Sequence, residues 1–204
     1  MKRLIAMALV TILLSLLTAC NNGNKEETAT RPDSAVELDI EMLKTEWTEG
    51  VIAFANGNTI SLPCTLQQLK DASGLDFANP AALEGKTLAP HETYNASLVS
   101  DDTCLKLICV NKGEEEIALN SAAIVRLNYF NYGEGDRQIT LAGTLSIGTY
   151  RADVEEALGA PKISNEEKTL YIYKGKNKNK QSVELTVGFN SEGLVNSVSF
   201  EIDK

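Results

Sequence analysis

Few residues in this sequence have the chemistry of a catalytic or metal site, and they lie far apart. His91 is the only histidine and follows Pro90, so we expect it to face solvent in a loop rather than act as a general base. Gly-x-Ser-x-Gly, His-Glu-x-x-His and phosphate-binding glycine motifs are absent from the sequence. Asp101-Asp102 and Glu114–Glu116 do not have the spacing of a dedicated calcium loop. The sequence therefore predicts a protein without enzymatic activity, metal or cofactor.

Cysteine is the other residue type with possible chemistry, and the chain contains four. Cys64 precedes a predicted helix, where its pKa could be lowered, but a small buried apolar residue is the favoured interpretation. Cys104 and Cys109 lie on one predicted strand and face opposite ways, which argues against a bond between them. A disulfide from Cys64 to either one stays open, and at least one of the three thiols remains free.

The fourth cysteine, Cys20, follows a segment with the features of an export signal. Lys2 and Arg3 are followed by the apolar run 4–17, which is shorter than the roughly 20 residues needed to span a bilayer. The run ends in Leu-Thr-Ala-Cys, which resembles the lipobox of bacterial lipoproteins. An ordinary secretory signal with a chance cysteine is the alternative, but the basic start, apolar core, lipobox and polar tether follow the required order.

The lipoprotein resemblance implies a processing site and a location. Residues 1–19 would be a signal peptide, and the thiol of Cys20 would carry a diacylglycerol. Fatty-acyl chains such as palmitate would then anchor the protein to a membrane, outside the cytoplasm. Residues 20–45, which begin with a polar stretch, are predicted to be the lipidated cysteine and a flexible tether.

The charge of the chain supports attachment by lipid rather than by electrostatics. The sequence has 19 basic and 28 acidic residues and a formal net charge of −9. Such a balance opposes binding to nucleic acid, which requires a basic face. It also opposes lying flat on anionic lipid, so the covalent anchor is expected to hold the protein at the membrane.

Beyond the tether, the same order of predicted elements occurs twice. Each part opens with a short strand, continues with a short amphipathic helix that ends at a glycine, and closes with three strands. An Asn56-Gly57 turn predicts a hairpin in the first part, and Pro161 ends the helix of the second. The predicted strands are 51–54, 59–62, 93–99, 104–110 and 122–129, then 139–142, 169–173, 183–189 and 194–202.

Aligned residues indicate that the two parts are repeats. Ser61-Leu62, Leu69 and Gly74 align with Ser146-Ile147, Val154 and Gly159, and Ile108–Asn111 and Asn120-Ser121 align with Val187–Asn190 and Asn196-Ser197. Extra loop residues around 79–90 lengthen the first part. We predict an α+β fold made of a first repeat at 46–135 and a second at 136–204.

Motifs of the second repeat resemble a known envelope pattern. They are Gly148-Thr149, Asp153-Val154, Leu158–Pro161, Tyr171–Tyr173 and Gly193–Val195. The segment is similar to small lipoproteins that assist outer-membrane β-barrel assembly and to the repeats of β-lactamase inhibitory protein. That resemblance implies two tandem units, each a short helical element packed on an antiparallel sheet. It also implies a combined sheet whose concave outer face meets a partner.

The alternation of strand residues predicts which side chains face such a partner. Polar Glu184, Thr186, Ser197, Ser199 and Glu201 should line the open face of the sheet. The leading hypothesis is a lipid-anchored, non-enzymatic module that binds an envelope or secreted protein.

The alternative hypothesis is a lipoprotein that binds a small ligand or a cell-wall polymer. Four lysines alternate through 174–180 in a predicted hairpin, and Lys176 and Lys178 are its candidate contacts. In this alternative the hairpin and the insert at 79–90 form the site together.

Overall fold

The computed structural model describes residues 30–99, 103–130 and 139–203. The chain from Pro32 onward forms one compact unit of the α+β class, with short helices and a large antiparallel sheet. Within the described ranges, no helix is long and apolar enough to cross a membrane. The predicted leader and Cys20 lie outside these ranges, as does Asp101-Asp102.

The regular elements are short. The α-helices of the described ranges are α1 (Ile40–Glu46), α2 (Leu66–Ser73) and α3 (Arg151–Leu158). The strands are β1 (Val51–Phe54), β2 (Thr59–Ser61), β3 (Asp76–Phe77), β4 (Thr87–Leu88), β5 (Thr93–Val99), β6 (Cys104–Val110), β7 (Ile117–Ala118), β8 (Ala123–Phe130), β9 (Ile139–Leu141), β10 (Ile163–Ser164), β11 (Leu170–Lys176), β12 (Ser182–Phe189) and β13 (Val195–Ile202). Short 3-10 turns occur at Trp47–Glu49, Pro80–Leu83 and Leu119–Ser121.

Strands from both predicted repeats join in one sheet. Its order is β10-β11-β12-β13-β8-β6-β5-β3, and every neighbouring pair is antiparallel. The contact between β13 and β8 connects the part of the sheet that follows α3 with the part that follows α2. A three-stranded sheet, β2-β1-β9, and the pair β4-β7 complete the topology.

One continuous apolar core lies on one side of the large sheet. Leu69 of α2 and Val154 of α3 are fully buried and belong to the same cluster as Leu107, Leu185 and Phe200 of the sheet. Most residues of β6, β12 and β13 alternate between buried and more exposed positions, because successive side chains point to opposite faces. Complete burial of one such side chain contributes about 1.5–3 kcal/mol. This packing fixes which face of the sheet is left open.

The starts of α2 and α3 differ in their side-chain caps. Thr65 caps α2 through a capping box with Gln68: its hydroxyl accepts from the Gln68 N–H at 3.2 Å, and the Gln68 amide oxygen accepts from the Thr65 N–H at 2.8 Å. Tyr150 at the start of α3 makes no side-chain cap bond. There the Arg151 N–H donates to the Gly193 carbonyl at 2.8 Å. The Leu66 N–H of α2 makes the equivalent bond to the Ala122 carbonyl at 3.0 Å, so both helix starts share a main-chain contact, and α2 adds a side-chain cap.

Corresponding hydrogen bonds link each helix start to the last strand of its part. The Ile124 N–H donates to the Cys64 carbonyl at 2.8 Å, and the Val195 N–H donates to the Thr149 carbonyl at 2.9 Å. The register of the last strand pair also shifts at corresponding places, between Ile108 and Cys109 and between Gly188 and Phe189.

These contacts correct two alignments made from sequence. Cys109 pairs with Ile124 and Phe189 pairs with Val195, so the predicted match of Ile108–Asn111 to Val187–Asn190 is wrong by one residue. Asn120 and Ser121 lie in a 3-10 turn before β8, so their predicted match to Asn196-Ser197 of β13 is wrong. The buried Leu119 holds this turn, and its N–H donates to the Lys86 carbonyl at 2.9 Å. The hydrogen bond to the loop before α2 comes from Ile124, as the hydrogen bond to the loop before α3 comes from Val195.

Structure also begins earlier than the predicted tether boundary at residue 45. Asp39 caps α1 by accepting from the Met42 N–H at 2.9 Å, and Leu43 is fully buried. Before the helix, Val36 forms a parallel bridge with Thr149. An aspartate followed by an apolar pair at helical spacing is the signal in the sequence that indicates α1.

Candidate functional site

The face of the large sheet opposite the core carries a central row of side chains across five strands. In register order the row is Ile172, Thr186, Ser199, Asn128 and Lys106. The first four are half-buried and Lys106 is exposed. Small hydroxyl and amide groups therefore occupy the middle of this open face, where they can accept and donate hydrogen bonds to a bound surface.

A charged row runs parallel to the central row, one pleat away. It consists of Lys174, Glu184, Glu201 and Arg126 in register order. Lys174 Nζ lies 2.9 Å from Glu184 Oε2, and Arg126 Nε donates to Glu201 Oε2 at 2.8 Å. Each carboxylate on the open face thus has a cation beside it, and the row is neutral as a whole. Charge alone would not select a partner here.

On the other side of the central row, the Ser197 side chain of β13 lies over Gly188 of β12. A methyl group at Gly188 would lie 2.2 Å from the Ser197 hydroxyl oxygen. Ser197 therefore covers the backbone of β12 at Gly188 and fills the space that a side chain at position 188 would need. The five residues predicted from sequence to line the open face, Glu184, Thr186, Ser197, Ser199 and Glu201, all lie on it.

An aliphatic patch, which sequence reasoning missed, lies at the β10 edge of the same face. Ile163 is 52% exposed, Leu170 is 39% exposed, and Ile172 is half-buried directly opposite Ile163. The alternation of side chains along Leu170–Tyr173 could have predicted the patch, because Tyr171 and Tyr173 point into the core. Leu170 and Ile172, which alternate with these tyrosines, must then face outward. Exposed aliphatic groups beside a polar face are typical of an interaction surface.

The lysine hairpin is attached to the segment after α1. Lys178 Nζ lies 3.6 Å from Glu46 and 3.9 Å from Glu49, and the Lys178 N–H donates to Glu49 Oε1 at 3.1 Å. A methyl group at Gly175 would lie 2.9 Å from the Trp47 ring, so Trp47 packs on the hairpin. Lys176 is exposed. Lys178 is thus a structural contact of the hairpin, whereas Lys176 points to solvent.

The structure does not bring the lysine hairpin and the insert at 79–90 together. The hairpin joins β11 to β12, and the insert precedes β5, which lies five strand spacings or about 24 Å away from β11 across the sheet. The insert borders a cleft of about 480 Å³ whose walls include Phe77, Pro80 and Leu83. The described residues of the hairpin and of the insert therefore do not form one site for a single small ligand.

Lys70, which lines this insert cleft, pairs with a carboxylate. Lys70 Nζ lies 2.7 Å from Asp76 Oδ1 and 4.6 Å from the centre of the Phe77 ring. The hydrogen bond from Lys70, together with one from the Phe77 N–H, lowers the pKa of Asp76 below its usual value. An anionic ligand would have to displace the Asp76 carboxylate.

His91 lies where the sequence indicates. It is in a turn with a φ of 60°, its side chain is 65% exposed, and Nε2 lies 3.4 Å from Glu114. Within the described ranges, no group of histidine, cysteine, aspartate and glutamate side chains is arranged to hold a metal ion.

The cysteines of the described ranges are free thiols. Burial raises the pKa of Cys64 to about 12, and burial together with the neighbouring Cys64 raises the pKa of Cys109 to about 12. A thiol with such a pKa stays protonated at neutral pH and is a poor nucleophile. Both side chains belong to the apolar core, and Cys104 is half-buried on the other face of β6.

Comparison with protein-family models, with characterised proteins and with solved structures finds no match to this chain. The open face, the aliphatic patch and the sequence motifs are therefore the features of this chain that bear on its function.

Proposed function

We propose that this chain is a lipid-anchored, extracytoplasmic lipoprotein of the cell envelope that binds another protein through the open face of its sheet and catalyses no reaction. One observation carries the proposal. The eight-stranded sheet is covered by an apolar core on one side and presents rows of half-buried polar side chains on the other. An antiparallel sheet covered on one side offers its second face to water or to a partner.

The chemistry of the open face favours a protein over a charged polymer. Its charged row is neutralised internally by the Lys174–Glu184 and Arg126–Glu201 pairs. Thr186, Ser199 and Asn128 supply hydrogen-bonding groups in the central row, and the half-buried Ile172 adds an apolar group beside them. Apolar anchors beside satisfied polar groups are typical of protein–protein interfaces.

The anchor is proposed from the sequence. Lys2, Arg3, the apolar run and the lipobox resemblance at Cys20 support cleavage after residue 19 and acylation of the cysteine. The folded unit described above starts at Pro32, and the sequence between Cys20 and Pro32 is mostly polar. Two or three acyl chains would give lasting membrane attachment.

We also propose that the fold is a tandem duplication similar to β-lactamase inhibitory protein. The matched hydrogen bonds of Cys64 with Ile124 and of Thr149 with Val195 support it, as do the matched register shifts of the strand pairs. In this interpretation β8 and β13 are the equivalent last strands of the two units. Their pairing would make one continuous binding face from both units.

A second candidate function is the binding of a small ligand in the insert cleft. The insert cleft is large enough for a small ligand, with apolar walls from Phe77, Pro80 and Leu83 and the amine of Lys70. Binding there would not involve the lysine hairpin, because the two lie far apart on the sheet.

Photo-cross-linking in native envelopes tests the leading proposal. A photoreactive residue at position 199 should give a defined covalent adduct with one protein. Thr186→Arg and Ser199→Arg, made separately in affinity-tagged protein, should each reduce capture of that protein at least tenfold. Gln67→Arg, on the exposed side of α2, is the matched control and should leave capture unchanged. Unchanged capture by both open-face variants would contradict binding at this face.

A further inference from the structure

The aliphatic patch lies near the point where the chain enters the folded unit. Val36 bridges Thr149 in parallel, and its N–H donates to the Gly148 carbonyl at 2.9 Å. Two residues after Thr149, Arg151 Nη1 donates to the Lys168 carbonyl at 3.3 Å. Lys168 belongs to the turn between β10 and β11, the strands that carry the patch. The entry of the chain and the patch therefore share one end of the molecule.

We propose that this end of the molecule rests on the phospholipid surface, with Ile163 and Leu170 inserted between the headgroups. The proposal depends on the lipid anchor at Cys20 described above. Even at full extension, the chain from Cys20 to Pro32 spans at most roughly 40 Å. A tether of that length keeps the entry end of the unit close to the bilayer and raises the effective concentration of the patch at the surface.

The charges around the patch favour contact through the aliphatic groups rather than through electrostatics. Lys162 and Lys168 are exposed on the β10–β11 segment, and so are Glu166 and Glu167 in the same turn. Arg151 adds one half-buried cation. The near balance of charge means that the contact should not require anionic lipid, in agreement with the acidic composition of the whole chain.

A phospholipid surface fits the patch better than a protein does. The patch lies at the β10 edge of the sheet, at the end of the molecule where the tethered chain enters, and its apolar part is formed chiefly by two exposed side chains. Protein interfaces need a much larger contiguous surface, on the order of 800 Å² per partner. The tether makes a small apolar contact sufficient at a membrane, because the unit cannot diffuse away.

Amide hydrogen exchange of the acylated protein tests the contact. Protein extracted from membranes, with its acyl mass verified, is reconstituted in phosphatidylcholine vesicles. The comparison is the Cys20→Ser protein mixed with the same vesicles. We expect exchange in residues 162–170 to slow at least fivefold in the acylated protein only.

Two variants test whether the slower exchange is caused by the patch or by another effect of the membrane. Ile163→Ser combined with Leu170→Ser should remove the protection, and Val99→Ser, a half-buried aliphatic at the opposite end of the sheet, should keep it. Replacing part of the phosphatidylcholine by phosphatidylglycerol should change the protection less than twofold.

Three outcomes would overturn the contact. Equal exchange in acylated and unacylated protein would do so, as would protection that persists in the double variant. Protection that appears only after envelope proteins are added would assign the patch to a protein partner instead. Absence of the acyl mass would reject the anchor as well, whereas an acylated chain that fails only the exchange test leaves the proposed function standing.

Discussion

Asn128 of β8 lies directly opposite Ser199 of β13 at the centre of the eight-stranded sheet. Four strands lie on each side of the boundary between β8 and β13. Asn128 follows Ile124 by the same number of residues as Ser199 follows Val195. The N–H groups of Ile124 and Val195 bind the loops that precede α2 and α3. If the fold is duplicated as proposed, Asn128 and Ser199 are equivalent residues, and a pseudo-twofold axis passes between them.

The first prediction follows from this central position. Asn128→Arg and Ser199→Arg should reduce capture of the partner by similar factors, because both place a long cation at the middle of the open face. The thermal unfolding midpoint should change little, since both side chains are only half-buried. Capture is measured by affinity purification and unfolding by circular dichroism. A strong effect of one variant and none of the other would argue against a shared central contact.

The second prediction concerns the close contact at Gly188. Gly188→Ala should lower the free energy of unfolding by about 1–3 kcal/mol, because the added methyl would collide with the Ser197 hydroxyl. Ser197→Ala removes that oxygen and should restore most of the loss in the double variant. Urea denaturation of the wild type, both single variants and the double variant measures the coupling. Simple additivity of the two single effects would show that the hydroxyl is not the obstacle.

The third prediction tests the start of α2. Thr65→Ala removes one half of the capping box with Gln68 and should cost about 1 kcal/mol of unfolding free energy. Thr65→Ser keeps the hydroxyl and should cost far less in the same urea titration. Equal losses in the two variants would mean that the threonine methyl, rather than the cap bond, stabilises this end of the helix.

The fourth prediction concerns thiol reactivity. At pH 8, an aromatic disulfide reagent should label the half-buried Cys104 promptly in the folded protein. Cys64 and Cys109 should react only as fast as the protein opens, because burial raises the pKa of each to about 12. Mass spectrometry of digested protein identifies the labelled positions. Rapid labelling of Cys64 would revive the interpretation of this residue as a nucleophile.

The fifth prediction is the effect of alkaline pH on stability. Because the folded-state pKa of Cys64 is raised from 9.0 to about 12, the unfolded chain loses this proton first as the pH rises. The stabilisation is complete below pH 9 and declines between pH 9 and pH 12. Cys64→Val should weaken that decline in urea titrations at stepped pH. An identical pH profile in Cys64→Val would show that other groups cause the loss.

The strands were predictable from sequence to different degrees. Alternation alone places β5 and β6 at the residues where the structure has them, because each strand has one buried face. β8 carries buried neighbours at Ile124 and Val125, which hides its period and allowed the wrong alignment of Asn120 and Ser121. Two-residue strands such as β10 contain too little sequence to show any period.

The candidate site could also be predicted from sequence only in part. Glu184, Thr186, Ser197, Ser199 and Glu201 could be assigned to the open face because they alternate with core residues. The pairing of Lys178 with Glu46 and Glu49 could not, since it joins residues far apart in the chain. Local pattern determines the face of a side chain, but long-range packing determines its partner.

The intact mass of the protein purified from native membranes tests the central claim most directly. We predict a chain that begins at Cys20 and carries a diacylglycerol on the cysteine thiol, recovered in the membrane fraction. An unacylated chain that retains Met1 and fractionates with the cytosol would contradict the lipid anchor and the envelope location together.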